Sequence, residues 1–386
     1  MNVVFISPNF PPQFFQFCTA LRERGVNVMG LGDSPEYELR PELRNALSDY
    51  WYAHSLGDYD QAVRALGFFT YRHGRIDRID SHTEHWLGLE AQLREDFNIP
   101  GPRPQALHQR RTKSGMAELF RKAGVPCPDG ELVQSPEQVR AFVKRHGYPL
   151  VFKPDLGVGA ARTFKVGNDR ELEQTLQSPL SGFIVQPYIS GTIVSYDGLV
   201  DRNGRIVFDT SHVYNAGIME VVNEQLDVYY WNRREIPEEL VKLGRRVVDG
   251  FSIRERFFHI EFFELPDGSY RALEINIRPP GGYTTDMMNF SADVDVYRLW
   301  AAVLTGDPLE NLRFERKYHV AHVGRRWGRP YMLHHEELVR RLGDRLLVHR
   351  QMPHAFAGAM GDEMYLIRDS DFGRLQESIQ LIQTLG

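Results

Sequence analysis

Apolar and polar positions alternate through residues 259–278, and the alternation reads as two strands joined by a tight turn. Asp267-Gly268, set between apolar and aromatic runs, is a strong hairpin signal. With that dipeptide centred in the turn, Glu261 lies across from Glu274 and His259 across from Asn276. A loop of odd length would break this register. Period-two alternation then gathers His259, Glu261, Glu274, Asn276 and Arg278 on one face. It assigns Phe262, Leu273, Ile275 and Ile277 to the other.

Elsewhere the pattern predicts a strand over 3–8, a helix over 14–24 and a strand over 26–31. This order implies a parallel pair in a doubly wound sheet. Its first loop, 8–12, lacks the Gly-x-Gly-x-x-Gly of a dinucleotide site. A helix over 58–72 and a strand over 76–81 follow, and the proline-dense stretch 99–104 marks a boundary. Helical spacing runs from Ala106 to Ala123, and strands cover 149–154 and 163–166. Asn203-Gly204 centres a second hairpin over 194–208, and helices are expected over 238–251 and 293–305. The remainder, 309–386, reads as strands 318–323 and 345–350 with helices 336–342 and 372–385.

The fold expected is mixed α/β and α+β. It comprises a Rossmann-like parallel-sheet domain over 1–104, a second unit over 105–308, and a small α+β unit over 309–386.

At 386 residues the chain is long enough for two or three compact units. A net charge of −5 gives no basic footprint, which argues against nucleic acid as the main partner. Only Cys18 and Cys127 are present, far apart, so a reducing compartment fits. No apolar run reaches the length of a membrane span, and a cytoplasmic location is expected.

The candidate chemistry starts from the hairpin. Two carboxylates facing each other repel unless a cation compensates them. A hard divalent ion is the economical answer, and Asn276 offers a third oxygen on the same face. Arg278 then enters the rigid loop 279–282, a setting suited to a metal-bound polyphosphate. Lys153 sits among apolar strand residues, where an ammonium needs an anion. The loop after it, with Gly157, Gly159 and Ala160, is small enough for backbone amides to approach phosphate. Arg162 ends that loop, either as a clamp on the terminal phosphate or as a surface residue. His82, Glu84 and His85 follow a strand's carboxyl end, where α/β sheets collect ligands. Ser81 with Glu84 equally reads as a capping box. His212 opens a polar, aromatic segment, 212–230, that either lines a pocket or packs irregularly. His319, His322, His334 and His335 lack metal-type spacing.

A Glu on one strand followed by Glu-x-Asn-x-Arg on the next resembles the magnesium end of ATP-grasp enzymes. The resemblance covers about 110–308 and is weaker over the first hundred residues, and it implies that 105–308 is a two-lobed core with a mobile lid lobe over about 125–188 and a metal-binding lobe over about 189–308. It implies that Lys113 and Lys153 hold the α- and β-phosphates and that Gly157, Gly159 and Ala160 belong to a phosphate lid. It makes Gln186, Pro187, Tyr188 and Ile189 the adenine hinge. Glu261, Glu274 and Asn276 would hold one or two Mg²⁺ ions, with Mn²⁺ as a substitute, and Arg278 would be catalytic. Glu84, His82, Arg162 and His212 are the implied substrate contacts. Departures from the family pattern are Thr112 where Asp often stands, Gln186 for a common Glu, and Ile193 for a ribose-holding Glu.

The implied activity is ATP- and Mg-dependent joining of a small carboxylate to an amine through an acylphosphate, releasing ADP and phosphate. A homodimer is a further expectation. A bicarbonate-activating enzyme and a non-catalytic nucleotide scaffold are the alternatives.

Overall fold

Val3 to Ile6 are completely buried, and that sequence of apolar side chains forms the centre of a parallel sheet. The computed structural model describes residues 1–157, 162–217, 221, 224–309 and 312–386. The first sheet contains β1 (Asn2–Ile6), β2 (Asn27–Gly32), β3 (Asp49–Tyr52) and β4 (Arg78–Asp80), in the order β3-β2-β1-β4. All its pairings are parallel, as the strand–helix–strand reading requires. β3 escaped that reading because this edge strand is only partly covered and shows no clean apolar pattern.

The helix expected over 106–123 is two, Pro104–Arg111 and Lys113–Lys122. Thr112 between them is extended and bridges to Leu156. Its hydroxyl accepts from the Gly115 amide at 3.3 Å, so the chain breaks where a good N-cap residue offers an alternative to helical pairing. The break puts Lys113 at a helix start, with its amide donating to the Asp155 carbonyl at 2.8 Å.

A second, antiparallel sheet holds β5 (Glu131–Leu132), β6 (Leu150–Pro154), β7 (Phe164–Val166) and β8 (Phe183–Pro187), ordered β5-β8-β6-β7. It has its own apolar core around Phe142, Phe152, Leu172 and Val185. β8 runs into the third sheet through residues 188–191, so that short connector joins two separately packed bodies.

The third sheet has, among the described residues, nine strands. They are β9 (Thr192–Val200), β10 (Ile206–Thr210), β11 (His212–Tyr214), β12 (Tyr229–Asn232), β13 (Phe257–Glu264), β14 (Tyr270–Asn276), β15 (His319–Arg325), β16 (Leu346–Gln351) and β17 (Glu363–Asp369). The order is β14-β13-β9-β11-β12-β15-β17-β16, with β10 on β9. The α+β character expected of 309–386 is present. Its three strands, however, continue the sheet that carries the hairpin: Tyr230 of β12 pairs with His322 of β15.

A buried ionic cluster fixes the first sheet against the third. Arg256, just before β13, meets Asp80 at 2.5 Å and Glu90 at 2.8 Å, and Arg94 meets Glu90 at 2.6 Å. Burial pushes the Asp80 carboxyl up, whereas Arg256 and Arg94 outweigh burial at Glu90 and hold it near about 2. Removing one partner of such a set strands the remaining charge. Arg256→Leu is therefore expected to cost about 3–5 kcal/mol in urea unfolding. A loss under about 1 kcal/mol would show that the cluster does not hold the two sheets together.

Candidate active site

β13 and β14 pair His259 with Asn276 and Glu261 with Glu274. The expected register is therefore present, though by a different route. The Leu265 amide donates to the Ser269 carbonyl at 2.8 Å, which closes a three-residue loop with Gly268 at φ 79°. That odd loop shifts the pairing by one, and a bulge between Glu261 and Phe262 shifts it back. Leu273 is the extra residue at the bulge. It is not in the core face where alternation placed it, and fully buried Ala272 is there instead.

The polar face of the ribbon is backed by a row of side chains reaching across the sheet. On β9, Asp197 is fully buried. It meets His259 Nδ1 at 2.5 Å and His212 Nδ1 at 2.7 Å, and accepts from the Ser195 hydroxyl. His259 Nε2 in turn meets Glu261 Oε1 at 3.1 Å. Burial opposes charge on His259, but Asp197 and Glu261 overcome it and raise its pKa to about 10. Burial likewise opposes ionisation of Asp197, and the two imidazoles hold it down at about 2. On β14 the Asn276 amide donates to Glu274 at 3.2 Å, which turns its oxygen away from that carboxylate.

Lys153 on β6 projects from the second sheet toward this face. It is 7% exposed, and among the described residues its ammonium makes no hydrogen bond or ion pair. Burial lowers its pKa to about 8, and Lys113 adds to that; Glu274 and Glu261 pull the other way. Lys113 Nζ donates to the Gly157 carbonyl at 3.1 Å. The fold thus brings Lys153, Lys113, Glu261 and Glu274 into one electrostatic neighbourhood.

Residues 111–253 match the model of the ATP-grasp domain family. Over that stretch the chain is similar to an ATP-grasp domain. Three solved structures extend the likeness of fold over most of the chain. An L-amino acid ligase from Bacillus licheniformis superposes with a TM-score of 0.74 at 17% identity, covering 98% of this chain and 96% of that one. An N5-carboxyaminoimidazole synthetase from Staphylococcus aureus complexed with ADP gives 0.72 at 15%, covering 98% and 96%. The biotin carboxylase domain of a 2-oxoglutarate carboxylase from Hydrogenobacter thermophilus, complexed with MgADP, ADP and bicarbonate, gives 0.66 at 15%, covering 83% and 74%.

Other expected positions of the ATP-grasp core and of the domain before it are placed as follows. Gln186 and Pro187 end β8, and Tyr188 and Ile189 open the connector to β9. The Tyr188 amide donates to the Pro149 carbonyl at 2.9 Å, and its ring lies under Lys165 at 3.9 Å. Ile193 pairs with Phe263, next to the hairpin's turn end. Gly159 and Ala160 lie outside the described residues. Arg162 is exposed, with its guanidinium 4.8 Å from the Phe183 ring centre.

Arg278 is largely covered. Its guanidinium donates to the Pro279 carbonyl at 2.7 Å and lies 4.0 Å from Glu84. Glu84 is also bound by Arg111 at 2.8 Å, so this acid from the first domain lies near Arg278, just beyond the end of β14.

Three expectations need correction. His82 is a core residue and not a substrate contact: it is 2% exposed and surrounded by Phe5, Phe14, Phe17, Phe257 and Trp300. Desolvation there lowers its pKa to about 3 and keeps it neutral. His212 is fully buried behind the site and meets Asp197, so it does not line a pocket. The Ser81–Glu84 capping box is absent, because Ser81 donates to Glu90 and the Glu84 carboxylate is held by Arg111.

Sequence reasoning missed Asp197 and Ser195. Their only signal was a polar pair spaced by two inside an otherwise apolar strand. Among the described residues, no three His, Cys, Asp or Glu side chains gather as a metal cage. Glu261, Glu274 and the Asn276 amide fit a different design. It is a partial set of hard oxygens that suits Mg²⁺, an ion that keeps waters and takes further ligands from phosphate. No helix among the described residues is long and apolar enough to cross a membrane.

Proposed function

We propose that this chain is an ATP- and Mg²⁺-dependent ligase that phosphorylates a small carboxylate and joins the acylphosphate to an amine. The observation carrying the reading is Lys153, a buried ammonium without a hydrogen-bonding or ion-pairing partner among the described residues, beside the opposed pair Glu261 and Glu274. A lysine in that setting needs an anion, and the acid pair needs a cation; a metal-bound polyphosphate meets both needs at once.

In this reading Lys153 and Lys113 bind the phosphates, and Gln186 to Ile189 offer backbone groups to the adenine. Glu261, Glu274 and Asn276 hold Mg²⁺, which neutralises charge between two anionic reactants. Arg278 binds the carboxylate that receives phosphate and stabilises charge as it develops. Glu84 aims Arg278 and Arg111 at the substrate. Positioning and charge neutralisation suffice for phosphoryl transfer, and no protein nucleophile is required.

Phosphate release from ATP should rise on adding single amino acids or pairs of them, with ADP formed in equal amount. Glu84→Gln should raise KM for the stimulating carboxylate about tenfold and leave ATP affinity within twofold, by weakening the charge-assisted hydrogen bond to Arg111 and the longer ion pair with Arg278. Equal loss of ATP affinity would remove Glu84 from the substrate side. Stimulation by bicarbonate alone would favour the carboxylase reading, and no stimulated turnover with intact nucleotide binding would favour the scaffold.

A further inference from the structure

We infer that His259 and Asp197 are positioning residues that hold Glu261 in the orientation its metal requires. The inference rests on Glu261 being a metal ligand, as proposed above, and adds a chain of residues behind it. His259 and Glu261 are two apart on β13, so alternation puts both on the polar face. The neighbouring strand sets Asp197 directly across from His259. The imidazole is therefore tied at both nitrogens, to Asp197 at 2.5 Å and to Glu261 Oε1 at 3.1 Å.

A ring bonded at both ends cannot turn without breaking one contact, and a fixed ring fixes the carboxylate oxygen that accepts from it. Glu261 Oε2 has no hydrogen bond among the described residues, which leaves that oxygen for a cation.

The base of the row is equally constrained. Asp197 is 0% exposed and is held by His212 at 2.7 Å and by the Ser195 hydroxyl. Burying a carboxylate this deeply carries a desolvation penalty, which the contacts to His259, His212 and Ser195 offset. Here the buried charge is relayed through an imidazole to a carboxylate whose side chain is 17% exposed, at the mouth of the site. Partners behind metal-binding groups commonly set affinity in this way, and losing one costs about 10–100-fold.

The test uses the full chain and a fluorescent ADP analogue, titrated with MgCl₂. His259→Ala should raise the Mg²⁺ concentration for half-maximal nucleotide binding by about 10–100-fold. Nucleotide affinity in EDTA should stay within twofold. His259→Gln retains a donor toward Glu261 and should recover most of the loss. Asp197→Asn, which preserves shape, should show an intermediate shift and serves where His259→Ala unfolds. An unchanged Mg²⁺ midpoint in these variants overturns the inference, as does an equal loss of affinity in EDTA. Glu261→Gln, run in parallel, separates the two levels: an unmoved midpoint there refutes the metal assignment itself. A shifted midpoint in Glu261→Gln with silent His259 variants removes only the positioning chain.

Discussion

Glu274→Gln is expected to lower Mg²⁺-dependent ATP turnover by about 10³-fold, equivalent to about 4 kcal/mol of transition-state stabilisation. The substitution keeps the side chain's shape and deletes one charge. That charge faces Glu261 directly across the ribbon and is the strongest favourable influence on the Lys153 ammonium. The variant therefore loses the proposed metal ligand and, with it, part of what keeps Lys153 charged at neutral pH. Both losses fall on the same polyphosphate, so their effects should compound. Folding should not suffer greatly, because the two acids are register partners on one face of the ribbon and removing one like charge offsets what Lys153 loses. The melting temperature without metal should hold or rise slightly. Steady-state phosphate release at saturating Mg²⁺ checks the first claim and calorimetric unfolding the second. Turnover within tenfold of the parent would exclude Glu274 from the metal site.

The β13–β14 ribbon and its pairing were legible in the sequence because their evidence is local. Alternation, a turn dipeptide and two acids at a fixed spacing all lie within twenty residues. Even so, the symmetric turn that local pattern implies is not what sets the register. The three-residue loop and the bulge at Leu273 each displace the pairing by one position, and only their cancellation returns Glu261 to Glu274. Residues with distant partners were misread. His82 follows a strand's carboxyl end, where ligands gather, but Phe257 and Trp300 enclose it from more than 170 residues along the chain. Ser81 and Glu84 have the spacing of a cap, yet Glu90 and Arg111 compete for them with stronger charged contacts. Asp197 was invisible for a related reason: its role depends on β9 lying between β13 and β11, a crossover order that no local pattern encodes. The same holds for β15 to β17. Their alternation reads as a separate unit until β12 supplies the edge on which they continue.

Arg278→Ala is expected to reduce kcat/KM by about 10²–10³-fold while leaving ATP affinity nearly unchanged. The guanidinium has five donors, and its contacts among the described residues are the Pro279 carbonyl and the more distant Glu84. Most of that donor capacity is therefore available to an anionic ligand. Pro279 and Pro280 are buried behind it and restrict the backbone, so the group is pre-oriented when substrate arrives. The charge that Arg278 is proposed to stabilise develops only as the acylphosphate and its tetrahedral successor form, which places the loss in kcat more than in KM. Arg278→Lys should recover little, because a single ammonium cannot reproduce a two-pronged contact to carboxylate or phosphate. Full recovery by Lys would reduce Arg278 to a source of positive potential. A kcat/KM within threefold of the parent in the Ala variant would remove it from the reaction altogether.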